Sequence, residues 1–166
     1  MNQKDTWLHF GFEENKFEES NKTFAKIYTF DRDFKLDKEK LLAFINSNGG
    51  LDKYVLKPCR EGGANNFFGD EIKQFVDETP VKELCSYILM ERIFPREKLG
   101  LWTDFKSINV APIISEIGFY CSGLWDSEDN LKYESYGDYL VRSKKSSTNE
   151  GGICSGFAFL DTFSLE

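Results

Sequence analysis

The stretch Y-V-L-K-P-C-R-E-G-G-A-N-N-F-F-G-D-E-I, residues 54–72, organises the rest of the chain. Tyr54, Val55 and Leu56 are strand formers, and Pro58 removes a backbone donor, so the pattern predicts a strand that ends at Lys57. Arg60, Glu61, Gly62, Gly63, Ala64, Asn65 and Asn66 follow, a composition that lets the backbone turn tightly and aim several N–H groups into one concavity. Such a nest suits an anion. Lys57 and Arg60 place positive charge beside it, and Glu61 offers the hard oxygen that holds magnesium against phosphates. Lysine, glycine amides and a carboxylate together point to a nucleotide triphosphate. A Gly-Gly pair after a strand is by itself only a turn, and neither a Walker A loop nor G-x-G-x-x-G is present. The rest of the sequence has to decide.

The 166 residues fit one compact domain, and 40% hydrophobic content with 16 Phe, 7 Tyr and 3 Trp fills a sizeable core. A net charge of −7 argues against a nucleic-acid partner, whose phosphates require clustered Lys and Arg. No run approaches the roughly 20 apolar residues that span a bilayer, so no membrane partner and a cytoplasmic location are expected. Cys59, Cys85, Cys121 and Cys154 form no C-x-x-C pair and read as free thiols. His9 is the single histidine, which leaves no Ser/His or Cys/His pair. The chemistry falls to carboxylates, cations and backbone amides.

Residues 1–22 are acidic and polar with no clear period, and are expected to be an irregular leader to a domain spanning 23–166. A short strand or turn is expected near Phe24, Ile27 and Tyr28. Asp37 reads as a helix N-cap with Lys40 where a capping box would place Glu; Leu41, Leu42 and Ile45 share a face, and Gly49 supplies the stop. A second helix is expected over Gly69 to Asp77, a shorter turn after Pro80, and a strand over Ser86 to Met90. The linker Glu91-Arg92-Ile93-Phe94-Pro95 would then offer free N–H and C=O groups to a flat heterocycle.

Two β-rich runs, Asn109 to Ile114 and Phe119 to Trp125, flank Ser115-Glu116-Ile117-Gly118. With the turn Ser127-Glu128-Asp129-Asn130 and the run Tyr133 to Val141, they read as antiparallel neighbours. Glu116, the one acid in its apolar stretch, is expected to be half-buried and to need a partner. Arg142, Lys144 and Lys145 precede a second glycine loop, Gly151 to Gly156, and a closing strand from Phe157 to Leu160. Two glycine loops, a basic cluster and two acids on strands fit a nucleotide clamped between β-layers beside an anionic co-substrate.

In order and spacing, the stretch 54–72, then Y-I-L-M-E-R-I, I-S-E-I-G, L-V-R-S-K and E-G-G-I-C-S-G-F-A-F-L-D, resemble the C-terminal part of eukaryotic-type glutathione synthetase from about Lys22 to Phe163. The resemblance implies an α+β, ATP-grasp-like fold, mainly antiparallel sheet with flanking helices, incomplete relative to the family fold. It implies a ligase using ATP and Mg2+ to join glycine to γ-glutamylcysteine through an acyl phosphate, giving glutathione.

Carried over by position, the resemblance makes Lys57, Gly62, Gly63, Ala64, Asn65, Asn66 and Phe68 nucleotide contacts, beside the Arg60 that the residues themselves suggest, and Glu61 the magnesium ligand. Met90, Glu91, Arg92 and Ile93 become the adenine linker, and Glu116, Lys144 and Glu150 further ATP contacts. Arg142 becomes the substrate-binding arginine and, with Lys144, a catalytic group; Ile153 and Cys154 meet glutathione from a lid. Cys59 stands in place of glutamine, Ala64 of a third glycine, Phe68 of tyrosine and Glu150 of aspartate. Family members are longer, so the expected partners include the missing N-terminal part or a homodimer mate. The other readings are a non-catalytic Mg-ATP-binding remnant and an effector or interaction protein on the same scaffold.

Overall fold

The computed structural model describes residues 8, 11, 13–60, 65–103, 106–153 and 156–162. The chain divides into two compact units, Met1–Ile93 and Phe94–Glu166. Each carries one four-stranded antiparallel sheet, as an α+β reading requires.

In the first unit the elements are α1 (Glu14–Asn21), β1 (Ile27–Thr29), α2 (Lys38–Ser47), a 3-10 turn (Leu51–Lys53), β2 (Tyr54–Pro58), β3 (Phe67–Phe68), α3 (Asp70–Glu78), α4 (Val81–Leu84) and β4 (Tyr87–Glu91). The spatial order is β1-β4-β2-β3. Helix α1 lies in the stretch expected to be irregular, and none of its residues is buried, which is why its sequence has no apolar stripe to read. Helix α2 begins as expected: the Asp37 carboxylate accepts from the amides of Glu39 and Lys40, and the Lys40 ammonium pairs with it at 3.2 Å. It ends in a Schellman-type closure, Gly50 N–H to Ile45 C=O at 2.9 Å, with Gly49 and Gly50 both at positive φ.

Strand alternation divides the sheet into two faces. Tyr54 and Leu56 of β2 and Leu89 of β4 point to the helix side, where they pack with Leu41 and Ile45 of α2, Ile72 and Val76 of α3, and Leu84 of α4. The other face carries Val55, Lys57, Ile88, Met90 and Phe68, which the ladder places opposite one another. Pro58 does not end β2. It stays in register with Tyr87, and Cys59 N–H continues the ladder to Ser86 C=O at 2.8 Å. The missing Pro58 donor faces the β3 side, where pairing stops at Val55 and Leu56, so no ladder bond is lost.

The second unit contains β5 (Lys98–Thr103), β6 (Ile108–Trp125), β7 (Leu131–Lys145) and β8 (Ala158–Asp161), in that spatial order. β6 is one unbroken 18-residue strand where the sequence reads as two runs, and β5 has no counterpart among the expected strands. The hairpin turn is locked by Asp126, whose Oδ1 accepts from the amides of Glu128 and Asn130 at 2.9 Å each and whose Oδ2 meets the Lys132 ammonium at 2.7 Å. The Lys132 contact, followed by the Asn130 amide, pulls the Asp126 carboxyl down to about 2.

No helix among the described residues is long and apolar enough to cross a membrane. Cys59, Cys85 and Cys121 are free and exposed, and Cys154 lies outside the described residues.

Ile45 is completely buried, so Ile45→Ala should cost about 2–5 kcal/mol in urea unfolding followed by circular dichroism. The hairpin turn should show an acid transition of defined sign. Because the folded Asp126 carboxyl lies below its ordinary 3.8, its stabilisation is complete above that value and is lost as pH falls through about 2. Amide shifts of Glu128 and Asn130 should report that transition, and Asp126→Asn should abolish it.

Candidate functional site

The outer face of the first sheet brings together four of the residues singled out from sequence. Lys57 is half-buried on β2, Phe68 and Met90 stand on its neighbours, and Arg92 follows β4. The Arg92 guanidinium lies over the Phe68 ring, 5.2 Å from its centroid, and Nη1 donates to the Asp52 carbonyl at 3.2 Å. Phe68 thus orients a cation as well as presenting an aromatic surface. Met90 gives the same face partly exposed apolar surface over the buried Val55, and Lys57 adds a compact positive charge. Chemically, such a wall accepts a flat ring with anionic groups beside it.

The linker behaves differently from its expectation. The Glu91 amide donates to the Lys26 carbonyl at 2.9 Å and the Arg92 amide to the Lys53 carbonyl at 2.8 Å, so neither is held out for a heterocycle. The Glu91 side chain belongs to the helix-side face, beside Tyr28 and Tyr54. Burial first, then this carboxylate, raises both phenols above their ordinary value. Ile93 is exposed. Arg60 and Asn65 are also exposed and Asn66 is half-buried, while Glu61, Gly62, Gly63 and Ala64 lie outside the described residues.

Helix α3 starts just after Phe68, but its first turn carries Asp70 and Glu71, and Glu71 Oε2 accepts from the Phe68 amide at 3.1 Å. Two acids in that first turn disfavour an anion there.

In the second unit, Arg142 and Lys144 alternate on β7 and project from one face. Glu116 lies opposite Arg142 in register, and Arg142 Nη2 donates to Glu116 Oε2 at 2.6 Å. Glu116 is not half-buried. Its side chain is 66% exposed, because this face of β6 carries little over it, and the partner the sequence demanded is Arg142. The Lys144 ammonium donates to the carbonyls of Asn149 and Glu150 at 2.7 and 3.1 Å, holding the start of the second glycine loop against the sheet. Gly151 sits where a Cβ would be 3.8 Å from the Arg142 guanidinium carbon. Glu150 is half-buried, Ile153 is exposed, and Cys154 is outside the described residues.

On the opposite face, Ser115 and Ser143 share a 2.7 Å hydrogen bond, and Ser143 donates to Asp161 Oδ2 at 2.6 Å. This fully buried serine stitches three strands in register beneath Arg142 and Lys144. Sequence reasoning missed it, although a serine between two cations on a strand is a signal of such alternation. Among the described residues no three Asp, Glu, Cys or His side chains are grouped to hold a metal ion.

Comparison with known proteins follows the same lines. A family model described as eukaryotic glutathione synthase, ATP binding domain, matches residues 3–165. The glutathione synthetase of Xenopus laevis is 33% identical over 141 residues, which make up 84% of this chain and 29% of that protein. The chloroplastic glutathione synthetase of Arabidopsis thaliana is 33% identical over 147 residues, 87% of this chain and 26% of that protein. The chain therefore spans under a third of the length of the curated relatives it matches. The structure of a glutathione synthetase like-effector from Globodera pallida, in apo form, superposes with a TM-score of 0.56 and 16% identity, covering 83% of this chain and 26% of that one.

If Lys144 anchors the loop, Lys144→Met should speed amide exchange over Asn149 to Ile153 about tenfold, the equivalent of one charge-assisted hydrogen bond worth about 1.4 kcal/mol. Unchanged exchange by mass spectrometry would show that the loop holds itself.

Proposed function

The chain belongs to the eukaryotic glutathione synthase family, in its ATP-binding domain, and on that premise we propose that it binds Mg-ATP for the joining of glycine to γ-glutamylcysteine. The observation that carries this reading is the convergence of Lys57, Phe68, Met90 and Arg92 on one face of the first sheet. Met90 would floor the adenine, Phe68 and Arg92 would flank it, and Lys57 would meet the phosphates. Arg60, Asn65 and Asn66, with Gly62, Gly63 and Ala64, would line the phosphate loop. The adenine linker would work through backbone carbonyls and Ile93, since the Glu91 and Arg92 amides are bonded within the unit.

Glu61 is the proposed magnesium ligand, a hard carboxylate in a glycine loop as that ion prefers. Bound there, magnesium would neutralise phosphate charge. Arg142 suits the carboxylate of a peptide substrate through its planar fork, by exchanging its present partner Glu116 for the ligand. Lys144 would act on ATP or on the lid it already holds, and Glu116 and Glu150 would contact the nucleotide. Ile153 and Cys154 would face glutathione. Cytoplasmic location is proposed with this role.

A second reading, an Mg-ATP-binding remnant or interaction protein without turnover, is favoured by one feature. Both catalytic candidates, Arg142 and Lys144, are engaged with groups of the chain itself. Calorimetric titration with Mg-ATP, beside phosphate release with both substrates, separates the two. Lys57→Ala should weaken Mg-ATP at least about tenfold, the worth of one charged contact, with the circular dichroism spectrum unchanged. Equal affinity in the variant would remove Lys57 from the site. Release that needs both γ-glutamylcysteine and glycine establishes the ligase, whereas binding without release establishes the remnant.

A further inference from the structure

Arg142 and Lys144 owe their neighbours to the register of β7, and the hairpin turn does not set that register alone. Between the turn at Asp126 and Arg142, the β6–β7 pairing shifts at Leu124/Trp125 and again at Phe119/Cys121. β5 ends its pairing at Ile113 and β8 at Val141, so the hairpin beyond them is a two-stranded ribbon. The pairing that places Glu116 opposite Arg142 is therefore chosen close to Arg142 itself.

Burial rejects a slip of one residue, which would turn Arg142 and Lys144 inward. It does not reject a slip of two, which keeps every side chain on its own face. Hydrogen bonding separates the observed register from those alternatives. As observed, Ser115 meets the fully buried Ser143 at 2.7 Å. A two-residue slip would set Ser143 against Ile113 or Ile117 and break that bond within a buried layer. It would also give Glu116 Leu140 or Lys144 for a neighbour in place of Arg142.

This chain of bonds has a direction. Asp161 is held by its own backbone, Oδ1 accepting from the Thr162 amide at 2.8 Å, while Oδ2 accepts from the Ser143 hydroxyl at 2.6 Å. That uses the single Ser143 proton, so Ser115 is the donor to Ser143. We propose that Asp161, acting through Ser143 and Ser115, is a positioning residue that sets Arg142 against Glu116 and Lys144 against the carbonyls of Asn149 and Glu150. The inference deepens the proposed ligase role, because those two cations are its candidate catalytic groups.

The test is amide exchange by mass spectrometry on the full unliganded chain, read over Asn149 to Ile153, with the Arg142 guanidinium Nε–H resonance as a second signal. Asp161→Ala should speed that exchange about tenfold and move the resonance, whereas Asp161→Asn, which keeps an oxygen acceptor, should stay within about twofold of the unsubstituted chain. Asp161→Ala combined with Lys144→Met should exchange no faster than Lys144→Met alone, since both act on one contact. Unchanged or additive rates, a resonance that stays in place, or an asparagine variant as fast as the alanine one overturn the proposal. If Asp161→Ala does not fold, Ser115→Ala cuts the other end of the chain of bonds at a half-buried site and has to give the same rise and the same non-additivity. Unchanged exchange there overturns the proposal as well. A γ-glutamylcysteine titration of the unsubstituted chain keeps the two readings apart: coupled exchange without peptide binding removes the substrate role of Arg142 and leaves its positioning in place.

Discussion

The two-residue alternation of β2 is the constraint from which the first unit follows. Tyr54 and Leu56 are held in the helix-covered core, and full burial of side chains of this kind is worth about 1.5–3 kcal/mol each. A one-residue slip would exchange them for Val55 and Lys57 and force an ammonium into an apolar layer, at a cost far above any gain. Lys57 therefore has no choice of face. The same phase, passed through the β4 ladder, sends Leu89 inward and Met90 outward, and the chain beyond Met90 delivers Arg92 to Phe68.

The second unit obeys the same rule with a polar insert. Ile113, Val141 and Ser143 share the buried face of β6 and β7, which turns Glu116, Arg142 and Lys144 to the other side. Ser143 earns its buried place by bonding both Ser115 and Asp161, which satisfies its hydroxyl. The register of three strands is thus fixed by one small hydroxyl as well as by packing.

Much of this was legible in the sequence because it is local. Asp37 announces the cap of α2, Gly49 its end, and Ser127 to Asn130 the hairpin turn, though not the Asp126 carboxylate that locks it. The likeness of residues 54–72 and the later motifs to glutathione synthetase agrees with the matched family, which extends the likeness to residues 3–165. What escaped depends on pairings between distant positions. The engaged amides of Glu91 and Arg92 follow from Lys26 and Lys53, and the exposure of Glu116 follows from what does not cover β6. β5 was missed because Lys98 to Thr103 is a weak strand by composition and gains its place from the long neighbour it joins. Helix α1 buries nothing, so no apolar period advertises it.

The stitched register of Ser115, Ser143 and Asp161 makes parity heritable in this hairpin. A one-codon deletion between Leu140 and Lys144 would exchange the two faces of β7 there and turn a cation toward the buried side. Length change in the ribbon near Asp126 leaves that phase untouched. Descendants of this sequence can therefore lengthen or shorten the hairpin only at its far end, where the paired bulges at Phe119/Cys121 and Leu124/Trp125 already absorb odd residues.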